Sequence, residues 1–123
     1  MQGSALFLDR DGVINLETNY VWRVDDFKFT EGIFKLCKKF QLEGYKIFII
    51  TNQSGISRKY YSEDDFLNLN DWMINRFNEN GITISKVYYC PHHPEINDQC
   101  NCRKPKPGMI KQAENEFELD LPN

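Results

Sequence analysis

Ala5-Leu6-Phe7-Leu8-Asp9-Arg10-Asp11-Gly12 is the stretch on which the reading of this chain turns. Four apolar residues in a row suit a short strand buried on both faces, and the acid that follows marks its carboxyl end. Side chains two residues apart on an extended chain point to the same side, which brings Asp9 and Asp11 together. Paired carboxylates repel unless a cation or a shared proton relieves them. Gly12 then lets the backbone turn sharply. The pattern asks for a metal ion, at the strand end where open α/β sheets place their active sites. By itself it would equally describe a surface turn with two solvated aspartates, so the rest of the chain has to decide.

Outward from this strand, placed at residues 4–8, the pattern alternates. A long irregular stretch runs from Gly12 to about Thr30. Ile33, Leu36, Cys37 and Phe40 recur at helical spacing over 31–43, and Gly44 stops that helix. The β-rich run 45–50 predicts a second buried strand, followed by a loop over 51–58 with Gly55 at its centre. Ser62 caps the next helix with Asp65 three residues on, and Phe66, Leu69, Met73 and Phe77 form its inner face until Gly81. A third strand is expected at 86–89, a Pro- and Cys-rich loop at 90–107, and a last helix from Pro107 to about Phe117. Such alternation means βαβ units and a parallel sheet with right-handed crossovers.

The 123 residues suffice for one domain, and 41% hydrophobic with 14% aromatic composition supplies a real core. A net charge of -3 speaks against a general affinity for nucleic acid or anionic membrane. No apolar run approaches a membrane span, and no secretory pattern opens the chain, so a cytoplasmic location is expected. The expected partner is a small molecule met by a monomer, with no nucleic acid and no membrane.

Two further constellations carry chemistry. Thr51-Asn52-Gln53-Ser54-Gly55 places hydroxyls and amides, good neutral donors for a phosphate or sugar, after the second strand. A parallel neighbour would bring Thr51 close to Asp9, although such residues also occur in ordinary strand-to-helix connections. Cys90-Pro91-His92-His93-Pro94 and Cys100-Asn101-Cys102-Arg103-Lys104 supply a Cys₃His set for tetrahedral, structural Zn²⁺. The ligands expected are Cys90, His92, Cys100 and Cys102; His93 in place of His92, or a disulfide with one free thiol, stays open. Such a zinc would pin the loop that carries Arg103 and Lys104 and aim Lys104 at the phosphate site. Cys37, Trp22 and Trp72 read as packing residues.

Leu8 to Gly12, the Thr51 motif and Lys104 together resemble the first three motifs of haloacid-dehalogenase (HAD) superfamily phosphatases. The zinc loop resembles that of the histidinol-phosphatase-like branch, and the strings 51–56 and 90–94 look most like its heptose-bisphosphate phosphatases. The resemblance implies a three-layer Rossmann-like parallel sheet without a large cap, one HAD-like domain over 1–123 with a zinc loop at 90–104. It implies Asp9 as nucleophile and Asp11 as general acid/base, with the Asp9 side chain and the Asp11 backbone carbonyl holding Mg²⁺. Thr51 and Lys104 would stabilise the transferring phosphoryl group, and Tyr20, Asn52, Gln53, Ser54 and Arg103 would contact a phosphorylated sugar or its second phosphate. The family's fourth, acidic motif does not occur after Lys104, so the C-terminal part of the sheet is expected to be missing. Histidinol phosphate as substrate, or a non-catalytic sugar-phosphate-binding remnant, are the alternatives.

Overall fold

The computed structural model describes residues 4–18, 20–90, 113 and 116. Strand β1 (Ala5–Asp9), β2 (Lys46–Asn52) and β3 (Ile84–Cys90) form a parallel sheet in the order β1-β2-β3. The central β2 is the most deeply buried, because a middle strand of a parallel sheet is covered on both faces, whereas β1, expected to be buried on both faces, has only Leu8 buried. Its residues Ile47 to Thr51 are all buried. Both β2 and β3 outrun their expected lengths. Thr51 and Asn52 stand in β2 rather than in a loop, paired with Tyr89 and Cys90, since ladder hydrogen bonds continue where hydrophobic alternation has already stopped.

Alternation across the strands builds two apolar clusters. Leu8, Ile47 and Ile49 face one, together with Ile33 and Cys37 from helix α1 (Ile33–Leu42) and Leu69, Met73 and Phe77 from helix α3 (Glu63–Glu79). Phe48, Ile50, Tyr88 and Cys90 face the other, where Ala113 packs. A register shift between Ile47 and Phe48 skips one residue of β3, so that Ile84 and Val87, of opposite parity, both meet the first cluster. Ala113 and Glu116 are helical, and Lys86 Nζ donates to Glu116 at 2.7 Å. The rest of the expected last helix lies outside the described residues.

Helix α3 forms where its signals place it. Ser62 Oγ accepts from the Asp65 N–H at 3.0 Å, and Asp65 Oδ2 accepts from the Ser62 N–H at 2.9 Å, a reciprocal capping box. Helix α1 starts two residues later than expected, because Glu31 and Gly32 form a turn with Gly32 at φ +83°. Leu36 is 40% exposed despite its helical spacing. It sits about 60° round the helix from the Ile33–Cys37–Phe40 stripe, on its solvent side.

The stretch 12–30 is more ordered than its pattern suggests. It contains a 3-10 turn at Val24–Asp26 and isolated bridges from Asn15 to Asp11 and Phe29. Ile14, Val21 and Phe27, which follow no period, are buried and fasten it over the first cluster. A short helix α2 (Ser54–Ser57) occupies part of the expected 51–58 loop.

Candidate active site

Parallel pairing decides the site. Asp9 pairs with Ile50 at the carboxyl ends of β1 and β2, which sets Thr51 one residue further along the neighbouring strand. Asp9, Asp11 and Thr51 then line one cleft of about 400 Å³ with Arg10, Glu17, Thr18, Tyr20, Val21, Asn52, Gln53 and Tyr61. The expected meeting of Asp9 and Thr51 is thus present. Asp11 lies beyond the last residue of β1, in a bend whose Gly12 has φ +91°. The amides of Val13, Ile14 and Asn15 all donate to the Arg10 carbonyl there, so the turn is tight and internally bonded.

The Asp11 carboxylate is held from three sides. Arg10 Nη2 reaches Oδ1 at 3.0 Å and Oδ2 at 3.1 Å, Asn15 Nδ2 reaches Oδ1 at 3.0 Å, and Gln53 Nε2 reaches Oδ2 at 3.4 Å. Arg10 was absent from the sequence-based site, yet it is 2% exposed. Its guanidinium lies 5.9 Å from the ring centres of both Phe27 and Phe66 and donates to the Val21 carbonyl at 2.8 Å. An arginine beside the acids is legible in Asp9-Arg10-Asp11; that it turns inward between two aromatic rings is not, because both rings come from distant segments.

Gln53 is 2% exposed. Its Nε2 donates to Thr51 Oγ1 at 2.8 Å as well as to Asp11, and its Oε1 accepts from the Tyr61 hydroxyl. Both amide protons are engaged inside the protein, which leaves one carbonyl lone pair for the sugar contact expected of it. Tyr61, also missing from the sequence-based set, is buried, and burial foremost pushes its hydroxyl up to about 12, so it remains a donor.

Tyr20 stands at the rim, 39% exposed, with φ +50° and its ring 4.7 Å from that of Tyr60. Gly55 lies beneath it: a Cβ there would come within 2.3 Å of the Tyr61 ring and 2.8 Å of the Tyr20 ring. Gly55, read as the centre of the 51–58 loop, is thus a seat for two tyrosines. Asn52 lines the cleft as expected, whereas the Ser54 side chain, His92, His93, Cys100, Cys102, Arg103 and Lys104 lie outside the described residues. Cys90 is buried at the end of β3 and is disulfide-bonded, its partner outside the described residues. Of the two cysteine chemistries left open by the sequence, that bond is the alternative to zinc.

The donors offered to a cation at this cleft are hard oxygens, the preference of Mg²⁺. Among the described residues no three His, Cys, Asp or Glu side chains converge as a cage. Asp9 and the Asp11 main chain are the donors that would hold Mg²⁺ here, together with water and substrate, since the ion usually keeps several waters. The occupied carboxylate of Asp11 fits ligation through its backbone carbonyl.

Residues 6–122 match the family described as polynucleotide kinase 3 phosphatase. The chain belongs to that family. A curated member from Campylobacter jejuni, D-glycero-alpha-D-manno-heptose-1,7-bisphosphate 7-phosphatase, is 51% identical across all of this chain and 69% of its own length. A member from Vibrio cholerae, D-glycero-beta-D-manno-heptose-1,7-bisphosphate 7-phosphatase, is 44% identical, again over all of this chain and 69% of its own. Among solved structures, D,D-heptose 1,7-bisphosphate phosphatase from B. bronchiseptica, complexed with magnesium and phosphate, superposes with a TM-score of 0.87 at 28% identity. That match covers 96% of this chain and 65% of the other. Within the family the chain stands with the HAD-like heptose-bisphosphate 7-phosphatases, and it spans 65% to 69% of the length of these three proteins.

Proposed function

We propose that this protein hydrolyses the 7-phosphate of D-glycero-D-manno-heptose 1,7-bisphosphate through a phosphoaspartate on Asp9. The observation that carries the reading is the convergence of Asp9, Asp11 and Thr51 on one polar cleft in a chain whose curated relatives bear that name. An Asp9 carboxylate oxygen attacks phosphorus, and the sugar oxygen departs with a proton from the Asp11 carboxyl group. Water then attacks the acyl-phosphate, returning a proton to Asp11 and releasing inorganic phosphate. Thr51 donates to an equatorial phosphoryl oxygen, where charge accumulates during transfer. In this reading Lys104 stabilises the same phosphoryl group, and Arg103, Asn52, Ser54, Tyr20 and Gln53 contact the sugar or its second phosphate. Bound Mg²⁺ supplies charge neutralisation at the phosphoryl oxygens.

Phosphate release with Mg²⁺ tests this, on both heptose bisphosphate anomers and on histidinol phosphate. Turnover on a heptose bisphosphate that disappears in Asp9→Asn is the expected result. Asp9-independent release, or preference for histidinol phosphate, overturns the reading.

The Cys90–His92–Cys100–Cys102 set is proposed as a structural zinc site that orders the loop carrying Lys104. What supports this reading is the ligand chemistry and the equal spacing of Cys90-x-His92 and Cys100-x-Cys102 in the sequence. Protein purified under reducing conditions should carry about one zinc per chain, as Cys₃His sites do. Metal-free protein that, prepared without reductant and then denatured, shows only two titratable thiols would establish the disulfide instead.

A further inference from the structure

Three hydrogen bonds in the cleft run head to tail. The Tyr61 hydroxyl donates to Gln53 Oε1, and Gln53 Nε2 donates to Thr51 Oγ1 at 2.8 Å and toward Asp11 Oδ2 at 3.4 Å. The Tyr61, Gln53 and Thr51 side chains are buried, and Asp11 is partly exposed. We propose that Tyr61 is a positioning residue for phosphoryl transfer: through the Gln53 amide it sets which way the Thr51 hydroxyl points.

The direction follows from donor and acceptor inventories. A carboxamide has one accepting end and one donating end, and a hydroxyl has a single proton. With Oε1 tied to Tyr61, the NH₂ end must face Thr51 and Asp11. The opposite orientation would set a carbonyl oxygen against the Asp11 carboxylate, two acceptors in contact. Thr51 Oγ1, already accepting from Gln53, directs its own proton into the cleft it lines, where a phosphoryl oxygen would receive it. Without the Tyr61 hydroxyl the amide oxygen loses its donor, and only the long 3.4 Å contact to Asp11 still disfavours the reversed orientation. The threonine proton then has a competing acceptor in Gln53 Oε1. Tyr61 acts through Gln53, at a distance from the reacting atoms.

This inference rests on the phosphatase reading, and its test separates the two. Tyr61→Phe keeps the ring that packs on Gly55 and removes only the oxygen. Gln53→Met removes the relay, and the double variant closes the cycle. With heptose bisphosphate and Mg²⁺, Tyr61→Phe should lower kcat about tenfold and leave KM within about twofold, since the lost alignment is felt in the transition state. In the Gln53→Met background the same substitution should change kcat by less than about twofold. In parallel, the Gln53 side-chain NH₂ protons, followed by NMR, should exchange slowly in the wild type and faster in Tyr61→Phe. Equal losses in both backgrounds, a loss confined to KM, or unchanged amide exchange would overturn the proposal. If the wild type releases no phosphate, the phosphatase reading fails, and amide exchange alone decides whether Tyr61 orients Gln53.

Discussion

Arg10 shows how one residue ties loop, core and site together. Its guanidinium is enclosed by Phe27 and Phe66, holds both oxygens of Asp11 and donates to the Val21 carbonyl across the loop. A buried cation is tolerable only when paired and hydrogen-bonded, and Nε and Nη2 both bond to Asp11, with Nη2 also donating to Val21. Removing it leaves a carboxylate that is only 26% exposed without its main partner. Arg10→Met should therefore cost about 3 kcal/mol in urea unfolding, the low end for a broken buried pair because Asp11 keeps some access to water and the Asn15 donor. Arg10→Lys should recover only part of it, since an ammonium lacks the second nitrogen, Nε, that also reaches Asp11 Oδ1 and the planar group enclosed by the two rings. Asp9, Asp11 and Thr51 are recognisable from residue type and spacing. The pairing of Arg10 with two aromatic faces, and of Tyr61 with Gln53, arises between segments far apart in the chain, where spacing carries no signal.

At the scale of elements, the start of α3 fixes part of the site. Tyr61 directly precedes the Ser62 cap, so the capping box that anchors the helix also anchors the residue that holds Gln53. Ser62→Ala should lower stability by about 1 kcal/mol, measured as a shift in the denaturation midpoint. Full recovery is expected in Ser62→Asp, whose carboxylate caps equally well. This helix was fully legible: its cap, inner stripe and stop are local signals within one repeating geometry. The strand ends were not, because β2 and β3 are prolonged by mutual pairing as far as Asn52 and Cys90. Neither was the order within 12–30, where single buried residues at irregular intervals replace any period.

Across the whole molecule, several buried or tightly bonded acids titrate late. Burial pushes the Cys37 thiol up from 9.0 to about 11 and, foremost, the Tyr61 and Tyr88 hydroxyls from 10.0 to about 12. The hydrogen bond to Glu63 does the same for Tyr89, from 10.0 to about 12. Each group keeps its proton longer in the fold than in the unfolded chain. Their contribution is complete below pH 9 and is lost as pH rises through the folded values, between about 9 and 12. Urea midpoints should fall across that alkaline window, and Tyr61→Phe should make the decline shallower. The amino-acid sequence by itself determined the α/β class, the parallel strands, the capped helix and the acids at the end of β1, because these depend on local periodicity and on residue chemistry at fixed spacing. Only the tertiary structure decided that Arg10 turns inward, that Gly55 seats Tyr20 and Tyr61, and that Gln53 joins Tyr61 to Thr51. Those relations depend on which distant segments the parallel pairing and the two apolar clusters bring into contact.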